Sequence, residues 1–227
     1  CFKLLDSKQI ENIVKELIDI KFHYFIDSFN KNDFDFGSYK RVSEKYINRD
    51  IFFLNSHSYP ACKNWLKLIM SHKENNNLIG TSASYESILD SIKLKKNYKI
   101  FSYLLNIFKF KRNFSNFPNP HVRTSSFLIN SNIFLDFLYN KEINNKFDTW
   151  KIESGKDSLT NFFKKKGFNI YIVNSDGKKF LEKDWMYSET YCYSEQLKSI
   201  ISDKHTRKYL DLPEKEQILN QLKVWGK

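Results

Sequence analysis

From Leu159 to Val173 the chain reads Leu-Thr-Asn-Phe-Phe-Lys-Lys-Lys-Gly-Phe-Asn-Ile-Tyr-Ile-Val. Apolar residues at Leu159, Phe162 and Phe163 mark a short helix, Gly167 stops it, and a strand over 169–173 follows with no linker between. A helix that feeds straight into a strand belongs to a layered α/β fold. The pattern recurs. The continuous apolar run Asp50-Ile-Phe-Phe-Leu-Asn55 suits a central strand covered on both faces and precedes a helix over 65–71. A strand over 124–130 precedes a helix over 131–139 that Ser131 caps. Strands alternating with helices predict a largely parallel sheet flanked by helices.

The remaining segments fit around this frame. Apolar positions 10, 13, 14, 17 and 18 predict an amphipathic helix over 8–20, and 22–27 reads as a strand. A polar loop over 30–40 leads into a helix through Tyr46, Leu78-Ile-Gly80 is a short strand, and 85–108 forms one or two helices with an aromatic face. Residues 109–120 read as a loop that Pro118 and Pro120 keep extended. Asn174-Ser-Asp-Gly177 is a turn, and the tail over 187–225 is mostly helical, with Pro213 opening its last helix.

Composition excludes several classes. With 21 Phe and 13 Tyr the chain is not disordered, and 227 residues suffice for a sizeable core. The formal charge is +11, but the cations are dispersed, lysine far outnumbers arginine, and no arginine-rich block appears. A nucleic-acid partner is therefore not expected; an anionic small ligand such as a nucleotide diphosphate, or the anionic inner face of a membrane, suits the charge better. Cys1, Cys62 and Cys192 show no paired spacing, so reduced thiols in a cytoplasmic protein are expected. No apolar run is long enough to span a bilayer, which leaves peripheral contact. The chain opens on Cys1 rather than Met, so a trimmed N-terminus or a longer parent polypeptide is expected.

Ligands of open α/β sheets sit beyond the carboxyl ends of the strands, and several segments place polar side chains there. Asp33 and Asp35 flank aromatics, and Gly37 permits close backbone approach; the same residues also read as an ordinary strand-to-helix turn. Asn55 and His57 stand two apart after the most apolar strand, which puts both side chains on one side of an extended chain. Arg123 has the planar fork that clamps a phosphate or carboxylate, while His121 is either part of the site or a structural imidazole. Glu153, at the mouth of the helix before the 169–173 strand, would be held ionised by the helix N-terminus and so act as a general base, with Asp157 one turn on. On this segment alone, capping by Glu153, Ser154 and Asp157 is the stronger reading. Asp203-Lys-His205-Thr-Arg207 reads by spacing as a solvated charge cluster.

Taken in order, these segments resemble a bacterial glycosyltransferase of the GT-A fold, and more narrowly the family-two-like and rhamnan-synthesis-like transferases of capsule and lipopolysaccharide loci. The matching stretches are Asn30-Lys-Asn-Asp-Phe-Asp-Phe-Gly-Ser-Tyr39, Ile51-Phe-Phe-Leu-Asn-Ser-His57, Pro120-His-Val-Arg-Thr-Ser-Ser-Phe127, Glu153-Ser-Gly-Lys-Asp-Ser-Leu-Thr160, Asp184-Trp185 and Asp203-Lys-His-Thr-Arg207. The resemblance implies a Rossmann-like, mostly parallel sheet in a single domain over 1–227, with a donor-side half (1–108), an acceptor-side half (109–186) and a helical tail (187–227). The usual first strand is then either 2–5 or absent. It implies inverting transfer from a nucleotide-sugar donor to a growing surface glycan or lipid-linked glycan, in the cytoplasm or peripherally on the inner membrane. Asp33, Asp35, Gly37, Asn55, His57 and Arg123 fall to the donor, His121, Asp184 and Trp185 to the acceptor, and Glu153 or Asp157 to the base. Related enzymes hold Mg or Mn with Asp-x-Asp; Asn55 and His57 stand there instead, with His205 as a further ligand, and such donors hold a hard cation less firmly. The alternative is a catalytically degenerate GT-A module that binds glycan or a partner within a larger capsule polymerase.

Overall fold

The computed structural model describes residues 1–29, 33–93 and 100–226, with the backbone alone for 100–106. Residues 30–32 of the expected donor loop and 94–99 of the expected helical stretch lie outside the described residues. In chain order the elements are β1 (Phe2–Lys3), α1 (Ser7–Glu16), β2 (Ile26–Asp27), α2 (Phe34–Lys45), β3 (Asp50–Leu54), β4 (Tyr59–Pro60) and α3 (Trp65–Met70). There follow β5 (Asn77–Gly80), β6 (Ala83–Ser84), α4 (Ile88–Lys93), α5 (Ile100–Asn113), β7 (His121–Val122), β8 (Ser126–Asn130) and α6 (Ser131–Leu138). The last third holds α7 (Lys146–Ser154), α8 (Leu159–Lys165), β9 (Asn169–Val173), β10 (Lys179–Leu181), β11 (Ile201–Ser202), α9 (Lys204–Leu210) and α10 (Glu214–Trp225). The chain is α/β.

Two compact units divide it, residues 1–49 with 131–149, and residues 50–130 with 150–227. None of the three breaks between them falls at 108 or 186. In the first unit β1 pairs in parallel with β2, and α1 starts with a capping box between Asp6 and Gln9. At its centre Arg41 binds two carboxylates. Its Nε and Nη2 donate to Asp27 at 2.7 and 2.6 Å, and its Nη1 and Nη2 donate to Asp33 at 2.6 and 3.2 Å. Lys3 adds a second cation through Asp33. Gly37 is required beneath this cluster, because a Cβ there would fall on the Asp33 carboxylate. Gly37→Ala is thus expected to destabilise by about 1–2 kcal/mol, overpacking outweighing the ordinary helix gain of Ala over Gly. Urea unfolding checks it; a stabilised variant would contradict it.

In the second unit a five-stranded sheet has the order β10-β9-β5-β8-β3. β5 and β9 are parallel; β3–β8, β5–β8 and β9–β10 are antiparallel. The sheet is therefore mixed, where a mostly parallel one was expected. β3, β5 and β9 share one direction, and β8 runs against them between β3 and β5. The alternation of apolar runs and helices predicts strands but does not set their direction, which depends on the path of each connection. Register aligns side chains into rungs. Phe52, Leu128, Ile79 and Tyr171 lie on one face, where α3 covers them with Trp65, Leu68 and Ile69. Phe53, Phe127, Gly80 and Ile172 form the next rung on the other face, with the rings of Phe53 and Phe127 5.1 Å apart. Gly80 leaves room for Val122 of β7, whose Cγ1 would stand 2.5 Å from a Cβ there.

Other boundaries moved. The 22–27 strand shrinks to β2, the 8–20 helix ends at Glu16, and the first five residues of the expected 109–120 loop complete α5. Asn174–Gly177 is a hairpin turn into β10, closed by Asn174 Oδ1, which accepts from the Asp176 and Lys178 amides. The tail holds β11, which pairs with β4, besides α9 and α10. Among the described residues, no helix is long and apolar enough to cross a membrane.

Candidate functional site

The shared direction of β3, β5 and β9 puts their carboxyl ends, and the amino end of the reversed β8, at one edge of the sheet. Backbone bonds stitch that edge together. The Asn55 amide donates to Ser125 O at 3.0 Å, and the Arg123 amide donates to Ser82 O at 3.0 Å. The tail closes over it, as the Ala61 amide donates to Ile200 O at 2.8 Å and Arg207 Nη2 donates to His57 O at 2.9 Å.

Arg123 is the central cation. Its side chain is 8% exposed, and Nη1 lies 2.7 Å from Asp203 Oδ2. Nη1 also donates to Ser82 Oγ at 3.2 Å, and the guanidinium carbon stands 3.7 Å from the centroid of the Tyr191 ring. Among the described residues no acceptor reaches its Nε or Nη2. Asp203 was expected to be solvated. It is buried instead, where it caps α9 by accepting from the His205 and Thr206 amides at 2.7 and 2.9 Å. Desolvation opposes its ionisation, but Arg123 and the cap bonds prevail and hold the carboxyl far below the usual carboxylate range. Burial pushes the Tyr191 hydroxyl up and the Cys192 thiol up to about 12, so both stay protonated beside Arg123.

Glu153 lies at the C-terminal end of α7, and the Thr124 amide donates to its Oε1 at 3.5 Å. The expectation that it opens the next helix is incorrect. Gly155 breaks the chain between the two helices, and Ser158 caps α8 by accepting from the Asn161 amide. The helix-dipole argument for holding Glu153 ionised therefore does not apply. Asp157 is exposed and pairs with Lys165 at 3.0 Å. Gly155 keeps this junction tight, since a Cβ there would stand 2.6 Å from Lys151 O.

His121 is buried, and its Nδ1 lies 2.8 Å from Asn119 O. A carbonyl only accepts, so Nδ1 carries the proton and neutral His121 leaves Nε2 as an acceptor. Burial holds its pKa below 6.5, against the opposing pull of Glu153. A depressed imidazole keeps its full stabilisation above the unfolded value and loses it as pH falls below about 6.5, because the unfolded chain then binds the proton first. His205 on α9 is also held below the ordinary range, by desolvation and then Arg123, although the residue as a whole is exposed. Stability in urea is thus expected to fall as pH drops below about 6.5, by up to about 1.4 kcal/mol per pH unit for buried His121. His121→Asn should flatten the slope; an unchanged slope would contradict the assignment.

Asn55 Oδ1 accepts from the His57 amide at 3.1 Å and from Ser58 Oγ at 2.6 Å, which engages both lone pairs in its own turn, and His57 is exposed. That donor set does not fit Mg or Mn. Among the described residues no three His, Cys, Asp or Glu side chains group to hold a metal. Trp185 is fully buried, its indole N–H donating to Phe180 O at 3.1 Å, so it is a core residue and not an acceptor platform. Asp184 is half-buried next to it. Asp33, Asp35 and Gly37 belong to the first unit, where Asp33 is held by Arg41 and Lys3 and Asp35 is exposed. The sequence reading missed Ser82 and Tyr191, which carry no motif. It also missed the burial of Asp203, although Asp203-x-x-Thr206 is a legible capping pattern.

No family model matches this sequence, and no curated protein or solved structure matches it either.

Proposed function

We propose that this chain is a glycosyltransferase that moves a sugar from a nucleotide-sugar donor to a bacterial surface glycan or lipid-linked glycan. The observation that carries the reading is the shared strand edge, where Arg123 keeps unspent donors and the next residue, Thr124, holds Glu153 through its amide. On this reading the mixed sheet is a GT-A-like sheet, with three of its five strands pointing at the donor. The acceptor hydroxyl gives its proton to Glu153 while its oxygen attacks the anomeric carbon. The bond from that carbon to the diphosphate breaks with inversion, and Arg123 stabilises the departing negative charge through Nε and Nη2. The reaction would take place in the cytoplasm, at the inner membrane surface.

A second reading is favoured by one observation. Asn55 Oδ1 is spent within its own turn, so the position where related enzymes hold their metal offers no free oxygen. This suits a degenerate GT-A module that binds glycan or a partner. A panel of nucleoside diphosphates and their sugars, with and without Mn, separates the two by thermal shift and by release of nucleoside diphosphate. Stabilisation with release supports transfer; neither, for any nucleotide, supports the degenerate module.

A further inference from the structure

The charge of this protein is divided unequally. The first unit holds eleven Lys and Arg against eleven Asp and Glu, so the whole surplus of +11 falls on the second. Within that unit the forty residues 91–130 carry eight Lys or Arg and no Asp or Glu. α5 lies in this stretch. Phe110 anchors it from one side, buried with its ring 5.4 Å from Phe114 and 6.3 Å from Trp150. Two residues earlier, and so about 200° around the helix, Phe108 is 69% exposed. Lys111 and Arg112 follow Phe108 by three and four residues, on the same face, and both are exposed, as is Lys109. Lys156 adds another cation, its Nζ donating to Lys111 O at 2.9 Å. The nearest carboxylate along the chain, Asp90, is already paired with Lys93 at 2.7 Å.

A large exposed aromatic beside exposed cations matches the chemistry of an anionic lipid surface. We propose that α5 is the surface by which the second unit docks on an anionic bilayer. Phe108 enters the headgroup boundary, and Lys109, Lys111 and Arg112 sit at phosphate level. This docking does not depend on the proposed transfer, and its test does not use activity.

The test is flotation of the full chain with vesicles of phosphatidylcholine alone and of phosphatidylcholine mixed with phosphatidylglycerol. Binding is expected only to the mixed vesicles and weakens with salt. Phe108→Ser should lower partition about tenfold, and Lys111→Glu with Arg112→Glu about thirtyfold or more. These side chains are exposed, so the thermal midpoint should not move. Phe108→Trp should give a blue-shifted emission on the mixed vesicles. Absence of flotation, equal flotation of all variants, unshifted tryptophan emission, or tighter binding to duplex DNA or RNA than to the vesicles would each overturn the proposal.

Discussion

Asp203→Ala is expected to be among the most destabilising single substitutions in the second unit. It leaves the Arg123 guanidinium, 8% exposed, without its carboxylate at 2.7 Å, and a buried charge stripped of its partner costs about 3–5 kcal/mol. It also removes the N-cap of α9, worth about a further 1 kcal/mol. Asp203→Asn keeps an acceptor for the His205 and Thr206 amides and should lose mainly the charge contribution. If Arg123→Met is added to Asp203→Ala, much of the loss should return, because the stranded charge is gone. Urea unfolding of the four proteins measures this directly. A cost below about 1 kcal/mol for Asp203→Ala would show that the pair does not hold the tail to the sheet edge. The acid limb has a defined sign. The folded-state pKa of Asp203 is depressed, so its contribution is complete above the unfolded value of 3.8 and declines only as pH falls below it.

Glu153→Gln should leave donor binding unchanged and lower transfer by about 10²–10⁴, the usual worth of a positioned general base. The exchange conserves shape, and the amide oxygen can still accept from the Thr124 amide that meets Oε1 at 3.5 Å. Only the capacity to take a proton is lost, so the defect belongs in kcat. Asp157→Asn provides the contrast. Asp157 is solvated and paired with Lys165, and its loss should change turnover less than twofold. Full turnover by the Glu153 variant, or a defect confined to donor affinity, would remove Glu153 from the role of base.

Much of the fold was legible where one physical signal dominates. The Asp50–Asn55 run appears as the strand β3, though at the edge of the sheet and not at its centre as expected, since an apolar run does not reveal how many neighbours its strand has, and the helix, glycine and strand over 159–173 appear as α8, Gly167 and β9. What remained hidden was set by tertiary geometry. The reversed β8 has the same composition as a parallel strand, so no residue within it announces its direction. Glu153 reads as a helix opener because Ser154 and Asp157 are good capping types, yet Ser158 is the residue whose backbone is extended and whose hydroxyl accepts from the third amide. Asp203 looks solvated beside Lys204, His205 and Arg207; its burial depends on Arg123, eighty positions earlier. Trp185 looks like a sugar platform from its type, but packing against the Tyr85 ring 6.3 Å away places it in the core.

The structure of the Glu153→Gln protein with a nucleotide sugar bound tests the shared-edge site most directly. The diphosphate should lie within hydrogen-bond distance of Arg123 Nε or Nη2, with the anomeric carbon between it and residue 153. A nucleotide sugar bound away from the edge that Asn55, Ser82 and Arg123 form, or a residue 153 side chain that does not face the sugar, would contradict it.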